Sequence, residues 1–435
     1  MVKNAIASAF LASAAAACAV VTAPWKPESG LAQAAATGSM DLRPDAHHRM
    51  ILGVNVHRSR PGFDLDRAQR LQASLGLPSS RDEFGQSLLK SPALMQRSMS
   101  LSAVSGEAAA TVGSSDVLTL TGGGSQQFAK GLPLSDADRA SFAGFLGTIS
   151  GKMAANGSLF EIWNEWNLPT PLRAAGSVAT YEQLVRASVP VIRKQAPQSR
   201  ILIGAIGNDF QPTLQGPRFG AWTDAFLKTG VWKMGDGLSV HIYANCMSGV
   251  DRQPVALIAR LLDIESKIKQ ANGGKSFPIY VTEVGWPELV GRCGFTDEER
   301  RDFAAQFLLM AQGLDFVGGV WIYELIDSPG KPNDLETRFG LATADYDLKQ
   351  DSCGVREATA ILKTGRVRRV SVDNGVTTVM FDGSLPFQSA VWTTDGSVQK
   401  MTLPAGSTWR PLCSGDGWSA ASTIDLTSRP IFIRK

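Results

Sequence analysis

Between residue 50 and about residue 362 the chain repeats one pattern: a short bounded apolar run, then a longer stretch with apolar residues at helical spacing. The runs over 51–57, 79–84, 116–121, 159–164, 201–206, 238–243, 279–283 and 318–323 predict strands. Apart from 79–84 they are largely apolar, as strands covered on both faces are. The intervening segments predict helices over 64–75, 135–155, 180–195, 219–228, 254–272 and 296–313. In the first of these, Leu65, Ala68, Leu71 and Leu75 share one face. Thr180 with Gln183, and Thr296 with Glu299, have the spacing of a capping box. Eight strand-then-helix units predict a (β/α)8 TIM barrel, an α/β fold. A doubly wound open sheet is the other architecture this pattern permits.

After about residue 365 the period changes. Short alternating runs over 377–381, 389–393 and 431–433 are punctuated by Asp373-Asn374-Gly375, Asp382-Gly383 and Asp395-Gly396. They predict a small C-terminal β-sandwich over 363–435, set against a barrel spanning 37–362. The segment before Met50 offers a strand for it to borrow. Structural support is its expected role, ahead of carbohydrate binding.

The first 36 residues read as an export signal and leader. Lys3 supplies the positive start, and an alanine-rich apolar stretch over 5–21 is followed by small residues. That stretch is too short and too rich in alanine for a membrane span. The chain is therefore expected in the periplasm or outside the cell. Four cysteines follow the leader: Cys246, Cys293, Cys353 and Cys413. An even number in an exported chain favours disulfides. Cys246 and Cys293 each lie just beyond a predicted strand, and loops after neighbouring parallel strands emerge on one side. This favours the pair Cys246–Cys293 and leaves Cys353 with Cys413. No two cysteines have zinc-ligand spacing.

Charged residues make up 19% of the chain and the formal net charge is +3, so there is no basic surface large enough to suggest nucleic acid. The one basic run, Arg366-Val367-Arg368-Arg369, fits a solvated strand or turn. No cluster has metal-ligand spacing, and no cofactor is implied. Gly122-Gly123-Gly124 lacks the lysine of a phosphate loop and reads as a close-approach turn.

In a (β/α)8 barrel the chemistry sits at the C-terminal ends of the strands. Those positions here hold His57, Arg81, Asn164, Glu165, His241, Tyr243, Glu283, Trp286 and Trp321. Glu165 closes the fourth run and Glu283 the seventh, which face each other across a barrel. Two glutamates across one cleft are what cleavage of a glycosidic bond requires. One protonates the leaving oxygen, and the other attacks or activates water.

With those residues in order, the chain resembles the retaining glycoside hydrolases that carry acid/base and nucleophile on strands four and seven. Asn164-Glu165 matches their Asn-Glu pair, and Thr282-Glu283-Val284-Gly285-Trp286 their nucleophile strand. Gly53-Val54-Asn55-Val56-His57, Leu75-Gly76, Arg81-Asp82 and His241-Ile242-Tyr243 look most like family 39 and its exopolysaccharide-associated endoglycosidases. Gln86 departs from the aromatic residue often found there. The resemblance covers roughly residues 50–362. It implies that Glu165 is the acid/base and Glu283 the nucleophile. Arg81 and Tyr243 would hold Glu283, and Asn164 would bind the sugar's 2-hydroxyl. His57 and His241 would contact hydroxyls or tune Glu165, and Trp286 and Trp321 would stack on a sugar ring. The substrate implied is a β-linked polysaccharide, cut by a monomer with cleft walls from 87–116 and 245–253.

Two rival readings come from other classes. A non-catalytic carbohydrate-binding protein on the same barrel would keep the aromatic faces but lose a carboxylate; both carboxylates are present. A Schiff-base lyase or aldolase needs a lysine at a strand end, and no strand end here carries one.

Overall fold

The computed structural model describes residues 40–435, except 87–88, 90, 92, 94, 97–115, 122–127, 129–130, 155–157, 171–172, 210–219, 292, 332–333 and 416. The leader, the Gly122-Gly123-Gly124 turn and most of the 87–116 wall lie outside the described residues. Among the described residues no helix is long and apolar enough to cross a membrane.

Eight strands close into a barrel in chain order: Ile51–Asn55, Ser79–Gly85, Val117–Thr121, Leu159–Ile162, Arg200–Ile206, Gly237–His241, Ile279–Val284 and Val317–Ile322. Every neighbouring pair is parallel, including the closure between the first and eighth. Seven of the eight were legible as apolar runs, because a strand inside a ring of helices has no wet face to mark with polar residues; Ser79–Gly85 carries Ser79, Ser80, Arg81, Asp82 and Glu83 in a row and is the exception.

Among the described residues the α-helices are Leu65–Ser74, Asp136–Met153, Val178–Gln195, Ala221–Thr229, Pro254–Ala271, Asp297–Ala311 and Cys353–Thr364. Thr296 and Glu299 form the expected capping box. The other expected cap is displaced. Ser177 caps the helix that was read as starting at Thr180, and Thr180 is inside the first turn, donating its N–H to Ser177 Oγ at 3.2 Å. A serine three residues upstream, in extended conformation, takes the role first.

Six side chains plug the base of the barrel: Ile51, Val117, Leu159, Leu202, Tyr280 and Trp321. They form a cluster separate from the core between strands and helices, which marks them as the inward face. Gly53 belongs to this plug as well. A Cβ there would lie 2.2 Å from the Trp321 ring, so the glycine is needed to let the indole fill the base.

The C-terminal part contains a seven-stranded antiparallel sheet and a two-stranded one. The strand Met40–Leu42 is one edge of the larger sheet, pairing Met40 with Val372 and Leu42 with Val370. The chain thus enters through the trailing domain before it starts the barrel. Strand Ser389–Thr393 shows how the layers divide. Val391 packs with Leu403, Ile424 and Leu426 toward the small sheet, while Ala390 and Trp392 join the main core with Ile361 and Leu362 of the last helix. Period-two alternation puts these neighbours on opposite faces. Cys353 is bonded to Cys413, tying that helix to the trailing domain. The pair Cys246–Cys293 joins the loops after the sixth and seventh strands.

Candidate active site

Alternation along the strands builds the site in layers above the plug. Ser79 reaches Trp321 at the base, so Arg81 and Glu83 point inward above it. Leu159 is in the plug, so Glu161 is inward above it; Asn55 follows Ile51 and Gly53 in the same way.

Arg81 is the hub. Its Nε donates to Glu161 Oε2 (2.8 Å). Nη1 donates to Asn55 Oδ1 (2.8 Å) and Glu283 Oε1 (2.7 Å). Nη2 donates to Asn164 Oδ1 (2.8 Å) and lies 3.3 Å from His241 Nε2. A guanidinium has five N–H donors, and here each has an acceptor. Burial alone would weaken its charge, but Glu161 and Glu283 overcompensate and push its pKa upward.

The contact with Arg81 also assigns the His241 tautomer. Arginine only donates, so Nε2 accepts and Nδ1 carries the hydrogen. Nδ1 then donates to Glu165 Oε1 at 3.0 Å. Burial brings the His241 pKa down to about 4, so the ring is neutral.

Glu283 owes its direction to a bulge. The register with the sixth strand runs Val240↔Val281 and then His241↔Glu283, so Thr282 is an extra residue. Strict alternation from Tyr280 would turn Glu283 outward. The extra residue resets the phase and aims the carboxylate at Arg81. Tyr243 Oη donates to its Oε2 at 2.6 Å.

Glu165 stands on a strained turn. Trp163 has φ 70° and Glu165 φ 46°. Such left-handed positions cost non-glycine residues about 1–3 kcal/mol each and persist only where surroundings hold them. Here Glu165 donates its N–H to Ala205 O (2.9 Å), and Arg173 donates to its carbonyl (2.8 Å). Trp163 and Trp166 pack edge to face in the core, and Trp166 Nε1 donates to Ser177 O.

Burial dominates the carboxyl groups. It pushes Glu165 up to about 7, against the pull of Arg173 and Arg81. It also raises Glu283, opposed by Arg81 and the Tyr243 hydroxyl. Glu161 is likewise buried, yet Arg81 outweighs burial and holds it below the usual carboxylate range.

One oxygen each of Glu165 and Glu283, with a ring nitrogen of His241, lie within 4.8 Å of one another. By residue type this trio would suit a metal ion. The chemistry is against it: the Arg81 cation and the Tyr243 hydroxyl already occupy Glu283, and His241 Nδ1 is a donor toward Glu165.

Of the residues expected at the site, Arg81, Asn164, Glu165, His241, Tyr243 and Glu283 form one bonded network. His57 is set apart. Its Nε2 is 3.0 Å from Glu324 Oε2, and its ring packs on Tyr323. Burial and then Arg60 lower its pKa, so it too is neutral. Trp321 is a correction: its indole is fully buried in the basal plug and donates to Ser79 Oγ at 3.0 Å, so it has no face for a sugar. Trp286 is 4% exposed, with its ring against Phe307.

Several residues were not anticipated. Asn55, Glu83, Glu161 and Tyr323 each lie two positions from an inward residue, so alternation alone would have found them. Glu324 and Glu336 could not be found that way. Glu324 follows the eighth strand, and Glu336 is in the 3-10 turn Leu335–Thr337. Burial raises Glu336 well above its ordinary value, with Glu165 and Glu283 adding to the effect.

The chain matches no family model and no curated protein sequence. Solved structures it is similar to include glycoside hydrolases. A family 39 glycoside hydrolase from the gut symbiont Bacteroides cellulosilyticus WH2 is similar at TM-score 0.65 and 18% identity, over 89% of this chain and 81% of that one. A monomeric β-xylosidase from Caulobacter crescentus CB15 gives 0.57 and 13%, over 90% and 96%. A GH5_18 protein from Streptomyces cattleya, in complex with GlcNAc, gives 0.54 and 19%, over 73% and 81%. At these identities the likeness establishes the fold, a closed eight-stranded barrel. What the site does must be argued from its own residues.

Proposed function

We propose that the protein is an exported retaining glycoside hydrolase that cleaves β-glycosidic bonds by double displacement. Glu165 is the acid/base and Glu283 the nucleophile. The observation that carries this reading is the pair itself: two buried carboxylates from opposite barrel strands, oxygens within 4.8 Å, in unequal surroundings. Retention calls for carboxyl groups about 5–5.5 Å apart and inversion for about 6.5–9.5 Å. One oxygen of each carboxylate within 4.8 Å of the other fits the shorter range.

The unequal surroundings support the roles. Glu283 receives a cation and a phenol hydroxyl, which favour its charged form. Among the described residues Glu165 is bonded on Oε1 by the neutral His241 donor, and a pKa of about 7 keeps Oε2 able to carry a proton near neutral pH. In the first step Glu283 bonds to the anomeric carbon, the glycosidic C–O bond breaks, and the Glu165 proton goes to the leaving oxygen. In the second, Glu165 takes a proton from water, whose oxygen displaces Glu283 from the same carbon. Asn164 turns its Oδ1 to Arg81, which leaves its amide N–H2 for the sugar's 2-hydroxyl.

The order of motifs supports an exopolysaccharide as the polymer, cut within the chain. The two disulfides accord with an oxidising compartment. The test is product release from a panel of β-linked polysaccharides by wild type and Glu283→Gln. Oligosaccharides released by wild type alone are the expected result, and their length separates internal from terminal cutting. Binding without release by either form would make the protein a carbohydrate-binding barrel.

A further inference from the structure

Beside the catalytic network lies a cavity of about 170 Å³ whose lining includes Asn55, His57, Arg60, Phe63, Glu324 and Tyr346. Of the bonded network described above, Asn55 alone borders it. It opens where the loops after the first and eighth strands meet. At about 10–15 Å³ per water-sized position, it has room for roughly a dozen such positions, the scale of one sugar ring.

Its place in the site decides which end of a substrate it faces. Asn55 is shared: its Oδ1 accepts from the same Arg81 Nη1 that holds Glu283. No residue of the fourth strand or of the Glu165 turn lines the cavity. In double displacement the nucleophile bonds to the sugar that keeps the anomeric carbon, and the acid/base faces the leaving group. The cavity therefore extends the nucleophile's side.

The lining is divided as a sugar surface is. At one end the Glu324 carboxylate is fully buried and accepts from Ser328 Oγ at 2.7 Å; His57 and Arg60 stand 3.0 and 3.3 Å from its other oxygen. At the other end Phe63 and Tyr346 pack edge to face, their ring centres 6.4 Å apart. Carboxylates accept hydroxyl protons, and aromatic carbon takes the C–H face of a pyranose. The walls are also tied before any ligand arrives. Asp64 N–H donates to Tyr346 Oη at 2.6 Å, and the Arg67 guanidinium lies 4.8 Å over the Tyr346 ring. Arg60 faces Glu324, and Lys349 and Arg338 face Asp327, so the lining carboxylates and their cations offset one another and leave no surplus positive charge to attract an acidic sugar.

We propose that this cavity is a second sugar subsite on the nucleophile's side, and that it accepts a neutral sugar linked to the one being cleaved. The proposal rests on the glycoside-hydrolase reading above and narrows it to substrates with at least two sugars before the scissile bond.

The test uses matched p-nitrophenyl β-glycosides of one and two neutral sugars, in glucose, xylose and mannose series. Wild type should show a kcat/KM at least about tenfold higher for the two-sugar member of its preferred series, equivalent to about 1.4 kcal/mol. Ala344 lies exposed at the cavity rim, so Ala344→Trp adds an indole there without disturbing the core. It should bring the two-sugar to one-sugar ratio close to one, with thermal unfolding unchanged. Equal wild-type rates for both members, or an Ala344→Trp ratio equal to wild type, would overturn the subsite while leaving the hydrolase intact. Faster cleavage of uronides than of neutral glycosides would overturn the sugar class. Wild type inert on every glycoside would overturn the hydrolase reading, and the subsite with it.

Discussion

His241 joins Glu165 through a bond whose direction is decided on the far side of the imidazole. Nδ1 lies 3.0 Å from Glu165 Oε1 only as a donor, because Nε2 faces Arg81, which cannot accept. One arginine thus pairs with one catalytic candidate directly and orients the donor to the other. The pH behaviour of the site follows from this.

Activity on polysaccharide should fall as pH rises through about 7. A general acid works while protonated, and burial places the Glu165 pKa at about 7, so the active form is present below that value and lost above it. A pH profile of kcat/KM checks this; a descending limb that survives unchanged in Glu165→Gln would assign it elsewhere.

Glu283→Gln should lose about 1,000-fold or more in kcat on every substrate, while oligosaccharide binding persists. Glu165→Gln should lose about 100- to 10,000-fold on polysaccharide and far less on aryl glycosides, whose leaving groups need little protonation. Steady-state rates on both substrate types check the contrast.

Arg81→Met should destabilise the fold by about 3–5 kcal/mol at neutral pH, since it strands Glu161 and Glu283 in the interior without their cation. The sign with pH is set by Glu161, whose pKa Arg81 holds below 4.5. Its contribution in the wild type is present above that unfolded value and disappears as pH falls through the lower folded one. The gap between wild type and variant should therefore narrow in acid. Denaturant unfolding at pH 7 and pH 4 measures it.

Trp321→Phe should cost about 1–3 kcal/mol in stability, from the lost packing and the lost hydrogen bond to Ser79 Oγ, and leave KM for oligosaccharides alone. A sugar-stacking residue would show the reverse, a higher KM at constant stability.

Removing the bridge between Cys246 and Cys293, which are 47 residues apart, should cost about 2–4 kcal/mol by freeing the unfolded chain. Thermal unfolding of Cys246→Ser/Cys293→Ser, with and without reductant, checks this; reductant should then affect only the remaining pair.

The sequence by itself determined the eight-stranded barrel and the strand ends. Buried parallel strands leave continuous apolar runs, and a carboxylate or histidine ending such a run stands out against them. Glu165, Glu283, His241 and Tyr243 were legible for that reason, whereas Arg81 stands within a polar run and was legible through the family resemblance. The tertiary structure decided what depends on phase and distance. Trp321 lies in the eighth strand two residues before Tyr323, and only the packing over Gly53 shows that the indole closes the base while the phenol reaches Tyr243. Glu283 points inward through a bulge at Thr282 that no local pattern announces. Glu324, Glu336 and Tyr346 come to the cleft from loops, where no periodicity constrains a side chain. The unequal surroundings of Glu165 and Glu283 are likewise a property of three-dimensional neighbours, because burial and a cation within 3 Å act through space and leave no trace in residue order.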